Sequence, residues 1–188
     1  MPTQLALFDR QNAAPNGLQY TSDLVRPEEE RELIRAIQEL PLAPFQFGPF
    51  EGRRRVASFG FRYDFGDHRV HEAEPIPDFV RDVLARAENF AGLARGAIKH
   101  ALFTEYDIGA GIGWHRDKAA FGDVLGVSLG SAAPLRFRRR TGQSFERFTL
   151  ETEPRSLYLL RGEARSQWEH SISPVQSIRW SITFRTMA

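Results

Sequence analysis

The sequence predicts an α+β fold in which a double-stranded β-helix, or jelly roll, is supported on one sheet by N-terminal helices. Two observations predict it. Helical periodicity is confined to the first half of the chain, and from Ile98 onwards the pattern contains only short strand-like segments. Many short strands that follow a pair of helices are typical of a double-sheet barrel with helices on one outer face.

Each of the two predicted helices has an apolar stripe. The first begins at Pro27, followed by three glutamates that suit a helix N-terminus, and its stripe includes Leu33 and Ile37. The second runs from about Pro77 to Ala91, before a glycine that is a typical stop signal. We expect both helices to pack on the same sheet.

The predicted strands are short and lie mostly in the second half of the chain. One strand, from Val56 to Phe65, carries aromatic residues at every second position. The later strands are predicted near 98–106, 124–130, 134–139, 145–150, 155–161 and 178–186.

The length and composition indicate a single soluble domain. A chain of 188 residues can bury one substantial core, which we assign to residues 18–188, with 1–17 as a poorly ordered lead-in or a surface strap. No apolar run is long enough to cross a membrane, so we expect a cytoplasmic protein, and we expect a monomer. Cysteine is absent, so any metal must be bound by His, Asp or Glu. The net charge of +1 gives no overall basic field for nucleic acid.

The segment GIGWHRDK contains a candidate pair of metal ligands. His115 and Asp117 are two residues apart, and an extended backbone there would direct both side chains to one side. His170 is the only histidine after His115, which makes it the candidate for a third ligand. Two histidines and one carboxylate on one face of an octahedron select non-haem iron(II) and leave positions open for a co-substrate and oxygen. The sequence therefore predicts an iron(II) oxygenase site.

Two other interpretations of the histidines stay open at this point. An H-x-D triplet is weak on its own, because a chain with five histidines often contains one by chance. His68 and His71 form an H-x-x-H pair that could also bind a metal, although their charged surroundings are typical of an exposed loop.

A polar and apolar alternation marks the segment RWSITFR at 179–185, with Arg179 and Arg185 on its polar face. An isolated segment of this kind is ordinarily a half-buried strand with its polar face in water. If that face is turned into a barrel, the two guanidinium groups need anionic partners, and the carboxylates of 2-oxoglutarate would supply them. Because roughly 20 Å separates the two Cα atoms at the rise of a strand, we expect distinct roles. One arginine should bind the distal carboxylate, and the other should lie towards the metal.

Four segments, taken together and in order, resemble the AlkB family. They are T-E-Y-D-x-G at 104–109, W-H-R-D-K at 114–118, R-G-E-A-R-x-x-W-x-H at 161–170 and R-W-S-I-T-F-R at 179–185. The match covers about the C-terminal half of the chain, and the ordered set is far more specific than any one segment.

This resemblance implies a jelly roll, iron(II) bound by His115, Asp117 and His170, and 2-oxoglutarate and O₂ as co-substrates. It implies contacts with 2-oxoglutarate from Tyr106, Arg179 and Arg185, and adds Thr104 and Ser181, which stand where many members carry asparagine. The implied activity is oxidative demethylation of alkylated nucleobases in DNA or RNA, as in DNA repair, with release of formaldehyde, succinate and CO₂.

An enzyme of this kind must take the base out of its stack. Candidate residues for stacking the base are Phe59, Phe61 and Tyr63, although aromatic residues in strands are more often core. Arg53, Arg54, Arg55 and Arg62 could contact phosphates, or could simply lie in a solvated loop. Trp114, Arg116 and Lys118, next to the metal ligands, complete the candidate substrate contacts.

One departure from the family pattern bears on the substrate. Base-repairing members similar to the bacterial prototype carry an acidic residue two positions after the iron-binding aspartate, and here that position is Ala119. Three hypotheses follow. The chain oxidises alkylated nucleic acid, it hydroxylates or demethylates protein side chains on the same scaffold, or it is a non-catalytic sensor of modified nucleic acid.

Overall fold

The structure is a computed structural model that describes residues 13–47, 50–64 and 66–188. Most of the segment 1–17, predicted as a lead-in or strap, lies outside the described residues. Its last two residues are attached to the domain, because the carbonyls of Asn16 and Gly17 accept backbone hydrogen bonds from Ala164 at 2.8 Å and Arg161 at 3.0 Å.

Both predicted helices are present. Helix α1 spans Pro27–Gln38, and α2 spans Arg81–Phe90 after a 3-10 turn at Asp78–Val80. Their buried residues, Leu33 and Ile37 in α1 and Val83 and Ala87 in α2, belong to one apolar cluster with residues of the larger sheet. None of the described helices is long and apolar enough to cross a membrane.

The larger sheet has seven antiparallel strands. In spatial order they are β1 (Leu18–Thr21), β11 (Leu157–Leu160), β8 (Phe121–Leu129), β13 (Arg179–Met187), β6 (Ile98–Tyr106), β3 (Phe50–Phe59) and β2 (Ala43–Phe47). One face of this sheet packs on the helices through residues such as Phe103, Leu125 and Phe184.

The smaller sheet has four antiparallel strands and faces the other side of the larger one. Its spatial order is β10 (Ser144–Thr152), β9 (Ala133–Thr141), β12 (Glu169–Ile172) and β7 (Ile112–His115). A second apolar cluster joins the two sheets, with Leu135 and Phe137 from β9 and Tyr158 and Leu160 from β11. Two facing antiparallel sheets with helices on one outer face are the predicted jelly roll, so the fold class is confirmed.

Two details of the predicted elements are wrong. The aromatic strand from Val56 does not continue to the predicted end, because Gly60 adopts φ +78° and a Cβ there would lie 2.0 Å from the carbonyl oxygen of Lys99. A new strand, β4 (Phe61–Asp64), begins after this turn and pairs with β5 (Arg69–Glu72). The region after Ile98 was predicted to contain only strands, yet a short helix α3 (Gly162–Ser166) precedes β12.

Alternation along the strands decides which side chains reach the space between the sheets. In β6, Ala101 and Phe103 face the helices. His100, Leu102, Thr104 and Tyr106 face the opposite way and line a cavity between the sheets. The functional side chains therefore come from this inner face and from the strands of the smaller sheet opposite it.

Candidate active site

The three predicted metal ligands meet between the sheets. His115 in β7 and His170 in β12 are direct partners in the antiparallel register, and Asp117 follows just after β7. Each offers one ligand atom, and these atoms all lie within 4.8 Å of one another. Strand pairing thus brings together two histidines that are 55 positions apart in the sequence.

Hydrogen bonding and burial leave these ligands ready for a metal ion. Nδ1 of His115 lies 2.9 Å from the carbonyl oxygen of Gly113, so Nδ1 is the donor and Nε2 is the ring nitrogen left to act as a metal ligand. Burial lowers the pKa of His170 to about 4, so this imidazole is neutral near pH 7. Two imidazoles and a carboxylate form the donor set of a non-haem iron(II) site, so the residues fit that metal.

Arg185 holds the ligand carboxylate in place. Its Nε and Nη2 both donate to Oδ1 of Asp117, at 2.8 and 2.7 Å. Burial by itself would raise the pKa of Asp117, but the Arg185 guanidinium, together with the two histidines, holds it well below its usual range. The other carboxylate oxygen, Oδ2, lies 3.5 Å from Nε2 of His170 and faces the metal position.

His100 extends this arrangement away from the metal. Nη1 of Arg185 lies 3.1 Å from Nδ1 of His100, and Nε2 of His100 lies 3.0 Å from Oγ of Ser58. Burial, and then the nearby Arg185, lower the pKa of His100 to about 2, so the imidazole is neutral. It accepts from Arg185 and donates to Ser58, whose hydroxyl donates to the carbonyl of Phe61 at 3.0 Å. A continuous hydrogen-bond chain therefore joins a metal ligand to the turn between β3 and β4.

Sequence reasoning missed His100. The signal was the two-residue alternation of β6, since His100 shares a strand face with Tyr106 and Thr104, which were candidates. Extending the polar face backwards along the strand would have found it.

Arg179 in β13 is the register partner of Tyr106 in β6 and lies on the side of the Tyr106 ring away from the cavity. It is 1% exposed, its Cζ sits over the Tyr106 ring at 4.9 Å from the centroid, and it donates to Oγ of Ser128 at 3.1 and 3.2 Å. Its Nη1 is buried and has no partner in the described part of the chain. An unsatisfied buried guanidinium donor is costly, so this atom favours an anionic partner, although Arg179 itself does not line the cavity that Tyr106 lines.

A cavity of about 750 Å³ opens above the metal ligands. Tyr158 reaches its wall because the facing residue is Gly126, where a Cβ would lie 2.2 Å from the Tyr158 ring. Burial, and then the neighbouring Tyr106, raise the pKa of Tyr158, so its hydroxyl remains protonated and available as a donor. Tyr158 was also missed, because its role depends on a contact between strands that are distant in sequence.

The structure divides the other predicted site residues into two groups. Those that line the cavity are Thr104, Tyr106, Arg185, Arg62, Tyr63, Trp114, Arg116 and Lys118. Ser181 lies on the same strand face, beside Thr104 and Ser128 in the register, but does not reach the cavity.

The proposed stacking roles of Phe59 and Phe61 are corrected by the structure. Phe59 packs edge-on against Phe103, at 5.6 Å between ring centroids, in the core beneath the helices. It follows Ser58, which lines the cavity, and so points to the opposite face of β3. Phe61 comes directly after the turn at Gly60, and its side chain does not line the cavity.

The alternative histidine pair lies on the surface hairpin formed by β4 and β5. His68 lies 3.3 Å from the Tyr63 hydroxyl, and His71 lies 2.7 Å from Asp67. Asp64, Asp67 and His71 could approach a common ion, but both His71 and Asp67 are exposed. Ala119, the position that departs from the family pattern, lies in an exposed turn after Asp117.

A jelly roll that brings two histidines and an aspartate together between its sheets defines the class of non-haem iron oxygenases. The chain belongs to the 2OG-Fe(II) oxygenase superfamily, whose pattern it matches over residues 17–185. It is therefore an oxidoreductase, a dioxygenase that uses Fe(II), 2-oxoglutarate and O₂.

Its relatives place it in the AlkB-like group. It is 30% identical over 169 residues to the Mus musculus protein named tRNA (carboxymethyluridine(34)-5-O)-methyltransferase ALKBH8, covering 86% of this chain and 25% of that protein. It is 28% identical over 192 residues to the Arabidopsis thaliana protein named Alkylated DNA repair protein ALKBH8 homolog, covering 89% of this chain and 54% of that protein. The chain thus spans about a quarter of the first relative's length.

A solved structure supports the fold independently. The structure of OsALKBH1 superposes with a TM-score of 0.69 at 17% identity, covering 93% of this chain and 98% of that one. At this identity the likeness concerns the fold alone.

Proposed function

We propose that this dioxygenase oxidises an alkyl group on a nucleobase carried by a DNA or RNA strand. One observation carries the proposal, an outward face of the smaller sheet on which arginines and aromatic rings alternate and which leads to the cavity mouth. We call it the arginine face and define it by Trp114, Arg136, Arg138, Phe145 and Arg147.

The arginine face is built by strand alternation. In β9, Leu135 and Phe137 point inward to the core, so Arg136 and Arg138 point outward. The Cζ atom of Arg138 lies 4.5 Å from the ring centroid of Trp114 and 4.8 Å from that of Phe145.

Two further contacts complete the face. Arg136 lies 5.1 Å from the Trp114 ring, and Arg147 lies 5.7 Å from the Phe145 ring. The arginines are therefore held in place by the rings, in addition to any ion pairs.

The charges on this face suit a phosphate backbone. Arg138 is paired with Glu169 at 2.6 Å, whereas Arg136 and Arg147 have no carboxylate within 4 Å among the described residues. Because the net charge of the chain is only +1, this positive potential is local. Guanidinium groups that neutralise phosphates, interleaved with aromatic rings, are the usual features of a surface for single-stranded nucleic acid.

The face and the reaction centre are continuous through Trp114, which belongs to the face and also lines the cavity. Arg62, Arg116 and Lys118 surround the same cavity. A strand bound along the arginine face would therefore pass the mouth, where an extruded base can enter.

In this proposal, Arg179, Tyr106 and Arg185 orient 2-oxoglutarate, and His115, Asp117 and His170 bind the iron. Bound Fe(II) would supply the oxidation, in which one atom of O₂ is inserted into a substrate C–H bond and the other enters the new carboxylate of succinate as 2-oxoglutarate loses CO₂. When the oxidised carbon is an N-methyl group, the hydroxymethyl product releases formaldehyde and the base recovers an N–H.

The test is turnover of a panel of oligonucleotides, single- and double-stranded DNA and RNA with alkylated bases, alongside methylated peptides. Mass spectrometry should detect loss of methyl or gain of oxygen on nucleic acid, with stoichiometric succinate, and His115→Ala should abolish both. Oxidation of peptides alone would replace this proposal with a protein hydroxylase. Tight binding of modified strands without succinate would indicate a sensor.

A further inference from the structure

Arg54, one of the basic residues for which the sequence left open a phosphate contact or a solvated loop, lines the cavity. It belongs to β3, where Arg54, Val56 and Ser58 alternate on the face that lines the cavity. Its partner in the register is Tyr106 of β6. Arg54 is therefore a cationic side chain on the wall beside the co-substrate position.

The guanidinium of Arg54 has no anionic partner among the described residues. Its Cζ stacks on the Phe45 ring at 3.9 Å from the centroid, and no carboxylate oxygen in the described part of the chain lies within 4 Å of its nitrogens. The exposed carboxylate of Glu51 also lines the cavity, but it accepts a hydrogen bond from the side-chain amide of Gln46 at 3.2 Å. Burial lowers the pKa of Arg54, and the positive charge of Arg185 lowers it further.

The neighbouring arginine is arranged differently. Arg55 faces the other side of β3, is exposed, and forms an ion pair with Glu105 at 2.7 Å. Arg185, the other arginine deep in the cavity, is neutralised by Asp117. Arg54 is thus the arginine of this strand whose charge is partly desolvated and uncompensated, which is unfavourable until an anion arrives.

The co-substrate does not account for this charge. A molecule of 2-oxoglutarate has two carboxylates. One fits the unsatisfied Nη1 of Arg179, and the other belongs beside the metal and Arg185. Arg54 is a third guanidinium with no carboxylate left to bind.

We propose that Arg54 binds an anionic oxygen group of the substrate nucleotide and so selects the substrate by charge, an inference that rests on the proposed function. The anion is either a carboxylate carried by the modified base or the phosphate of the extruded nucleotide. Where the anion is a carboxylate of the base, Arg54 also disfavours bases that are cationic when alkylated, because like charges would meet in a partly desolvated cavity.

The test uses single-stranded RNAs of one sequence with three bases at one position. These are uracil with a carboxymethyl group at C5, the same base as its uncharged methyl amide, and the cationic 1-methyladenine. Variants Arg54→Gln and Arg54→Lys are compared with Arg55→Gln, the matched control one residue away on the other face. Thermal unfolding of each variant checks that the fold is retained.

The wild type should oxidise the carboxymethyl base best and 1-methyladenine worst. Arg54→Gln should lower kcat/KM for the carboxymethyl base by roughly 10- to 100-fold, the equivalent of one charge-assisted hydrogen bond. Arg54→Gln should change kcat/KM for the amide little. Arg54→Lys should recover part of the loss for the carboxymethyl base, and Arg55→Gln should have wild-type kcat/KM for all three RNAs.

Other outcomes separate the alternatives. If Arg54→Gln lowers kcat/KM for all three RNAs by the same factor, the anion that Arg54 binds is the phosphate, which still supports the inference. If Arg54→Gln matches Arg55→Gln on every RNA while the wild type is active, the inference is wrong and the proposed function stands. Absence of oxidation on all RNAs and DNAs would overturn the proposed function, and Arg54 recognition with it.

Discussion

Arg185 contacts Asp117 on the side opposite the metal position, where its Nε and Nη2 both donate to the single oxygen Oδ1, at 2.8 and 2.7 Å. This geometry keeps Oδ2, the oxygen nearer His170, free to bind a metal. The sequence predicted that one of the two strand arginines, without specifying which, would lie towards the metal and pair with the co-substrate or a ligand carboxylate. In the structure Arg185 pairs with the ligand carboxylate of Asp117.

Replacing Arg185 should therefore affect the metal more than the nucleic acid. In Arg185→Gln, Asp117 loses its charged partner and its fixed orientation, and we expect affinity for Mn²⁺, used as a redox-stable probe, to fall roughly 10- to 100-fold. Calorimetry on the purified protein would measure it. The control is Arg179→Gln, which should weaken 2-oxoglutarate binding while leaving Mn²⁺ affinity within about threefold of the wild type, since it lies behind Tyr106. Equal metal affinity in Arg185→Gln and wild type would contradict the assigned role.

His100 should act as a positioning residue for this pair. His100→Phe leaves Nη1 of Arg185 and Oγ of Ser58 without their partner, and we expect a loss of about 1–3 kcal/mol in the free energy of unfolding. The KM for 2-oxoglutarate should rise while affinity for RNA stays unchanged. His100→Gln, which can both accept and donate, should recover part of the KM. If both variants lose stability but keep the wild-type KM, His100 has only a structural role.

How much of this site could be read from the sequence depended on distance along the chain. The pair His115 and Asp117 and the alternation of Arg179 and Arg185 are local patterns, so they were predictable without a fold. The position of His170 opposite His115 results from strand pairing across the smaller sheet.

The failures have physical causes as well. Phe59 appeared equivalent to Tyr63 by alternation, but the turn at Gly60 starts a new strand, so only Tyr63 reaches the cavity. Arg54 and Arg55 were indistinguishable as members of a basic run. Their roles separate only when the register places Arg54 beside Tyr106 and Arg55 beside Glu105.

Gly126 should be essential for the shape of the cavity. In Gly126→Ala the new methyl would overlap the Tyr158 ring, at 2.2 Å from Cζ, and displace it. We expect a stability loss of about 1–3 kcal/mol from overpacking and weaker 2-oxoglutarate binding. Tyr158→Phe keeps the ring and removes the hydroxyl, so it should retain stability better and test the hydroxyl alone. Ligand binding is measured by tryptophan fluorescence in the metal-free protein. Wild-type stability in Gly126→Ala would show that Tyr158 moves freely.

The contact between helices α1 and α2 should make stability depend on pH in the acid range. Glu29 accepts from Arg86 at 2.7 Å and from the backbone N–H of Arg26 at 2.9 Å, and these bonds lower its pKa from 4.5 to about 2. A depressed carboxyl pKa stabilises the fold fully above pH 4.5, and this contribution is lost as the pH falls towards 2. At pH 7, Glu29→Gln should lower the free energy of unfolding by about 1 kcal/mol.

The check is urea unfolding of wild type and Glu29→Gln at several pH values. The difference in unfolding free energy should shrink steadily below pH 4.5 and be nearly absent at pH 2. Glu28→Gln, a neighbour whose side chain is 52% exposed, is the control and should give only a small difference. A difference for Glu29→Gln that is constant across this range would exclude the ionised carboxylate as its cause.

Binding of nucleic acid along the arginine face should be strongly dependent on salt, because each neutralised phosphate releases counterions. Arg136 and Arg147 have no carboxylate partner among the described residues, so reversing both to Glu should weaken binding to single-stranded RNA and reduce the slope of log K against log salt by about one or more. Fluorescence anisotropy at several salt concentrations measures both quantities. The control is Arg95→Glu, an exposed arginine in the loop after α2, which packs on the opposite side of the larger sheet. If Arg95→Glu changes the slope as much as the double reversal, the attraction comes from overall charge and the arginine face does not guide the strand.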